Sequence, residues 1–185
     1  MRKLFFSFFV LLILSACSQR ENIDVIEDED EEVLSIQDVK IPDVIFTSEK
    51  QNSVIDEEEM KLSIKTYLDS FEELSIASEP FQDYIDEELT LTVEEQEKFK
   101  KIRKLAKEND ENFSNYILNN TLPEGYQEES ERISQYITSF NELLAELSII
   151  SIIDKGKVMN GKEQKKIEDF LDRKKINTKA FGRQS

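Results

Sequence analysis

Apolar side chains recur every three or four residues along most of this 185-residue chain, a period that only helices packed on one face can use. Met60, Ile64, Tyr67, Leu68, Phe71 and Leu74 fall on one side of a helix that begins near Asp56 and is expected to end before Pro80, which lacks a backbone donor. Phe81 to Leu89 reads as a short helical or turn segment. Thr92 and Glu95 then have the spacing of a capping box, in which hydroxyl and carboxylate satisfy each other's backbone N–H. The helix they open carries Phe99, Ile102, Leu105, Ala106, Phe113, Tyr116 and Ile117, and should stop before the turn at Leu122, Pro123, Glu124 and Gly125. A third stripe, Ile133, Tyr136, Ile137, Phe140, Leu143, Leu144, Leu147 and Ile150, runs into the break at Lys155 and Gly156. Asn160 can cap a fourth, shorter helix bearing Ile167, Phe170 and Leu171, with fraying after Ile176. No stretch alternates over six residues, and the chain holds only four glycines and three prolines. The expected fold is all-α: an antiparallel bundle of three long helices plus a shorter C-terminal helix over 56–176, with a polar tail over 177–185.

The N-terminus has a different logic. Arg2 and Lys3 precede an apolar run from Leu4 to Leu14 interrupted only by Ser7. That run is too short to span a bilayer, which takes about 20 apolar residues, and it has the form of a signal peptide. Leu14, Ser15, Ala16 and Cys17 complete a lipobox, so the first seventeen residues resemble those of bacterial lipoprotein precursors. The resemblance implies a signal peptide over 1–16, cleavage before Cys17, and diacylglycerol with further acylation of the palmitate type on that cysteine. Cys17 is the only cysteine, so no intramolecular disulfide is available, and lipidation accounts for a lone thiol in an exported chain. Each buried methylene contributes about 0.8 kcal/mol, and more than one acyl chain makes the anchorage durable. The implied location is the outer face of the plasma membrane, with the membrane itself as partner through Cys17.

Charge sorts the rest of the chain. The whole sequence carries a formal −16, which becomes −18 once Arg2 and Lys3 are removed, so nucleic acid is excluded as a partner. Residues 18–59 and 60–154 each carry −12, whereas 155–185 carry +6. Glu27, Asp28, Glu29, Asp30, Glu31 and Glu32 form a like-charge block that resists compaction, so 17–55 reads as a lipidated N-terminus and acidic flexible tether. Such a tether reaches beyond about 100 Å when extended, and averages nearer 35 Å, roughly, as a coil. Leu34, Ile36, Val39, Ile41, Val44, Ile45 and Phe46 are nonetheless too apolar for a plain linker, and suit an extended arm docked on the bundle. Three readings stand for the basic end from Lys155 to Arg183: solvation, attraction to anionic headgroups or wall polyanions, or pairing with the chain's own acidic tether.

Catalytic chemistry is poorly supplied. There is no histidine, and the sole cysteine is taken by lipid, so the usual metal ligands and the commonest general base are missing. No cofactor, metal or catalytic residue is assigned. Glu57, Glu58, Glu59, Glu72 and Glu73 offer carboxylate pairs of the kind that glycosidases use, but in so acidic a chain their abundance carries no information. A carboxylate-based hydrolase of wall polymers is the most distant reading. The loop from Asp154 to Lys165 has a calcium-loop outline, but Gly156, Val158 and Lys165 stand where oxygen ligands belong.

Asn109, Asp110 and Phe113 spell N-D-x-x-F within the second long helix. With the lipobox and the size of the mature chain, this motif resembles the NDxxF motif lipoproteins of Gram-positive bacteria, a family with no established biochemical role. Asn109 lies seven residues after Ile102 and four before Phe113, inside the apolar stripe, with Asp110 turned about 100° away. A core-facing amide must find a partner. Either Asn109 hydrogen-bonds a neighbouring segment and fixes packing, or Asn109, Asp110 and Phe113 line a groove or partner surface. The expected function is a non-catalytic interaction module at the cell envelope, meeting an envelope protein or wall polymer. The alternative is a helical carrier or sensor of a small ligand, with a cavity lined by Tyr67, Phe99, Tyr116 and Phe140.

Overall fold

Each apolar stripe finds the next one along the chain. In the computed structural model, which describes residues 36–86, 89–146 and 160–183, the helices are α1 (Glu57–Asp86), α2 (Val93–Leu118), α3 (Gln127–Glu146) and α4 (Gly161–Lys174). α1 packs on α2, α2 on α3 and α3 on α4, and a 3-10 turn at Ala180–Gly182 returns to α1. Short connections make consecutive helices antiparallel, so the described residues form an all-α bundle with no strand among them. None of the described helices is long and apolar enough to cross a membrane. The leader over 1–16, Cys17, the block from Glu27 to Glu32, and Leu147, Ile150, Lys155 and Gly156 lie outside the described residues.

Local signals set two of the helix starts. Thr92 accepts from the Glu95 N–H while the Glu95 carboxylate accepts from the Thr92 N–H at 2.7 Å, the reciprocal capping box expected from their spacing. Asn160 accepts from the N–H groups of Lys162 and Glu163 and opens α4. Pro80 is different: α1 does not end before it but runs through to Asp86. The missing donor there costs roughly 3 kcal/mol. Burial on the far side of the proline offsets that cost, because Phe81 is fully buried and stacks on Phe99 of α2 with centroids 5.2 Å apart.

The arm is docked. Ile36, Val39, Phe46 and Ile55 are buried, so the tether expected over 17–55 gives way within the described residues to a packed strap that reaches α1. Its last residues pair with the α2–α3 loop: Ile55 N–H donates to Thr121 O at 2.9 Å and Thr121 N–H to Ser53 O at 2.8 Å, a single parallel bridge. The other end of the domain is equally tied down. Fraying after Ile176 does not occur over 177–183: Ile176, Thr178 and Ala180 are buried, and the Asp69 carboxylate on α1 accepts from Thr178 Oγ1 at 2.7 Å and from Lys179 N–H at 2.8 Å. Phe181 sits at a positive φ of 62°, a conformation held by edge-on packing against Tyr136. The polar letters of this tail belong to a strap, because one carboxylate of α1 satisfies its hydroxyl and its backbone together.

Two apolar clusters result. The larger joins Phe46, the first half of α1, the second half of α2, α3, α4 and the C-terminal strap. The smaller joins Ile36 and Val39 to Leu74, Ala77 and Phe81 of α1 and to Phe99 and Ile102 of α2. Among the described residues, α4 contributes to the larger cluster and not to the smaller one. Replacing Thr178 by valine keeps the volume but removes a hydrogen bond to a carboxylate. Equilibrium unfolding in urea is expected to show a loss of about 1.5–3 kcal/mol at unchanged slope; an unshifted midpoint would mean a solvated tail.

Candidate functional site

The three motif residues leave α2 in different directions and do different things. Asn109 is 1 % exposed and bridges two segments: its Oδ1 accepts from the Phe46 N–H at 2.8 Å, and its Nδ2 donates to the Tyr67 carbonyl at 3.2 Å. One turn on, Asn112 Nδ2 donates to the Phe46 carbonyl at 3.0 Å, so both polar groups of Phe46 are held by amides of α2. Asn120 extends the arrangement toward α1, accepting from Ser53 N–H at 3.0 Å and donating to the Lys50 carbonyl at 3.0 Å. An arm buried against helices has no neighbouring strand, and its peptide groups must be satisfied by side chains. Of the two readings of Asn109, the geometry is that of packing. Asn112 and Asn120 escape a sequence reading because only the position of the arm makes them matter.

Phe113 is fully buried, stacked on Tyr67 with centroids 4.1 Å apart and edge-on to Phe46. It lines no groove. Asp110 joins three helices, accepting from Tyr67 Oη of α1 at 2.8 Å and from Asn141 Nδ2 of α3 at 2.9 Å, with a further hydrogen bond from Thr138. Burial pushes its carboxyl up from 3.8 to about 6, although Asn141, Tyr67 and Thr138 pull the other way; the charge of Glu142 adds to the rise. The Tyr67 hydroxyl is itself held well above its ordinary value, by burial first and by Asp110 second.

Asp110 also reaches the wall of a cleft of about 960 Å³, between the C-terminal half of α1, the N-terminal half of α2 and α3. Leu74, Leu91, Phe99, Ile102 and Ala106 give it apolar surface, and Lys100, Arg103, Lys104 and Lys107 line it along α2. Of the four aromatic residues expected around a ligand cavity, Phe99 alone is in this lining. Tyr67 and Tyr116 belong to the larger core cluster, and Phe140 packs edge-on to Phe71. The sequence signal for the cleft is the run from Lys98 to Lys107, which holds six basic residues and no acidic one in a chain of net −16.

The remaining candidates find ordinary partners. Glu57 lies 3.4 Å from Lys174, Glu58 2.8 Å from Lys61 and Glu73 3.3 Å from Lys179, while Glu59 pairs with Lys50 and Glu72 is raised by burial. At the basic C-terminal end, Arg173, Lys174 and Lys179 meet Glu129, Glu57 and Glu73 of the bundle itself, while Lys155, Lys157 and the acidic block lie outside the described residues. Among the described residues no group of three or more histidine, cysteine, aspartate or glutamate side chains is placed to hold a metal ion.

Two outcomes follow. Asn109→Ala leaves the Phe46 N–H buried without its acceptor and should destabilise the fold by about 1–3 kcal/mol beyond the cavity it opens. Because the folded Asp110 carboxyl binds its proton more tightly than the unfolded one, stability is present below about pH 4 and is lost as pH rises through about 6, by about 3 kcal/mol in full. Asp110→Asn should therefore gain on wild type across that window in urea unfolding at stepped pH, and a constant difference would contradict the burial.

A scan against protein-family models and searches of curated proteins and solved structures find no match to this chain.

Proposed function

We propose that this chain is a lipoprotein of the outer face of the plasma membrane, carried there by acyl chains on Cys17, and that its bundle acts as a non-catalytic interaction module of the cell envelope. The location rests on one observation: positive charge, apolar run, small residues and cysteine follow one another in the order a lipobox requires, from Arg2 to Cys17. A likeness to the NDxxF motif lipoproteins is part of the same proposal. The module reading is supported by what the motif side chains touch. Asn109, Asp110 and Phe113 are engaged within the chain, and Glu57, Glu58, Glu59 and Glu73 sit in surface ion pairs. The cleft beside α2 is then the surface that combines apolar contact with charge, and an envelope protein or wall polymer would meet it there.

The second reading, a carrier or sensor of a small ligand, is favoured by the cleft volume, about 960 Å³, which falls within the range of roughly 300–1,000 Å³ typical of ligand pockets. Growth with an alkynyl palmitate analogue tests the anchorage. Label should appear on the wild-type chain at the mass of the processed form, and Cys17→Ala should abolish both label and processing. An equally labelled Cys17→Ala chain, or an unlabelled wild type retaining Met1, would overturn the location.

A further inference from the structure

We propose that the cleft takes a phosphate-headed lipid, with acyl chain along its apolar floor and headgroup among Lys100, Arg103, Lys104 and Lys107. This deepens the small-ligand reading of the cleft and rests on it.

The argument begins with where the cleft sits. It opens beside the smaller cluster, which among the described residues is built from the arm, α1 and α2. The floor is backed by Leu74, Phe99 and Ile102, which are buried, and its open apolar surface comes from Ile85, 37 % exposed, and half-buried Ala106. Apolar surface of this kind, concave and bordered by polar groups, suits a hydrocarbon tail.

The rim supplies the charge. Lys98 to Lys107 gather six of the chain's 24 basic residues into ten positions of one helix, where the surrounding sequence is acidic. Among the described residues, three of the rim lysines pair within their own helix, at 3.6 Å to Glu97, 3.3 Å to Glu108 and 3.5 Å to Glu111, and each lysine is at least three-quarters exposed. Such pairs contribute about 0–1 kcal/mol, so exchanging a carboxylate for a phosphate costs little. The Arg103 guanidinium lies over the Phe99 ring, 5.8 Å from its centroid, which places a flat, five-donor group at the edge between floor and rim. Of the acidic residues of the lining, Asp110 is engaged by Tyr67 and Asn141, Glu111 pairs with the rim's Lys107, and Glu142 is on α3. Charge and floor together match an anion with a tail. A phosphate alone would leave the floor uncovered, and an uncharged lipid would leave the rim without a counter-charge.

The test uses the protein purified from its host membranes and held by its own anchor in phosphatidylcholine vesicles doped with a diazirine-acyl phosphatidic acid, or with the equivalent diazirine diacylglycerol. After photolysis, peptide mapping is expected to find acyl adducts on Ile85 or Ala106, at least 5-fold more with the phosphate-headed probe. A triple variant, Lys100→Gln, Arg103→Gln and Lys104→Gln, should reduce those adducts at least 5-fold with thermal unfolding unchanged, since all three side chains are exposed. Excess inorganic phosphate should compete weakly. Equal labelling of the cleft by the uncharged probe would overturn the anion preference while leaving a ligand-binding cleft in place. Adducts confined to the outer surface, as an acidic partner helix in the cleft or simple adsorption would give, would overturn the proposal and the small-ligand reading together. An unaffected triple variant would overturn the role of the rim.

Discussion

Phe46 carries a peptide group into the core of a bundle that has no strand to receive it. Helices use up their own backbone donors and acceptors along their length, so an extended segment laid across them is satisfied by side chains there, and by loop backbone only where it passes a helix end, as at Thr121. Asn109 and Asn112 take the N–H and the carbonyl of Phe46, one turn apart on α2, and Asn120 repeats the service for Ser53 and Lys50. Once Phe46 is fixed, its ring closes on Phe113 and Tyr116, and Phe113 in turn stacks on Tyr67. The same Tyr67 donates to Asp110, which reaches α3 through Asn141. Asn109, Asp110, Asn112 and Phe113 therefore tie the arm, α1 and α3 to α2. An amide in the middle of an apolar stripe is explained by what the arm requires of α2.

What could be read from the sequence was whatever depends on near neighbours. The helical period gave the elements, and Thr92 and Asn160 gave two of the starts, because a cap acts within three residues. Pro80 misled for the same reason: its cost is local, whereas the stacking of Phe81 on Phe99 that offsets it is not. The C-terminal strap was hidden in the same way. Its polar letters suggest solvent, and the carboxylate that holds Thr178 is 109 residues upstream. Asn109 could be placed in the core, but its partners could not be named without the path of the arm. The cationic rim was lost to averaging: residues 60–154 sum to −12, and that total conceals six basic side chains in succession along α2. A ten-residue window would have found them.

Among the described residues, α4, 14 residues long, packs into the larger cluster and not the smaller one. It covers the end where Tyr126 and Phe170 meet edge-on and where Lys174 lies over the Tyr126 ring. There the basic C-terminal residues are matched by acidic ones of α1 and α3. At the opposite end the cover is the arm on one side and the cleft on the other, and positive charge is concentrated on α2. Cations at both places join elements: Arg173, Lys174 and Lys179 meet carboxylates of α1 and α3, and Lys98 of α2 donates to the Ile36 carbonyl of the arm, while Lys100, Lys104 and Lys107 are exposed.

The route of the arm also decides how the domain would respond to mechanical load. Between Ile36, whose carbonyl lies 3.1 Å from Lys98 Nζ, and Ile55, bonded to Thr121 beyond the end of α2, the arm runs the length of that helix before α1 begins. Tension applied from the N-terminal side is felt first at Ile36, and would peel Val39, then Phe46 with its paired amides, then the bridge at Thr121, one attachment after another. Stripping in series needs less force than shearing them at once, so the strap would yield as a fuse before any strain reached the four-helix core.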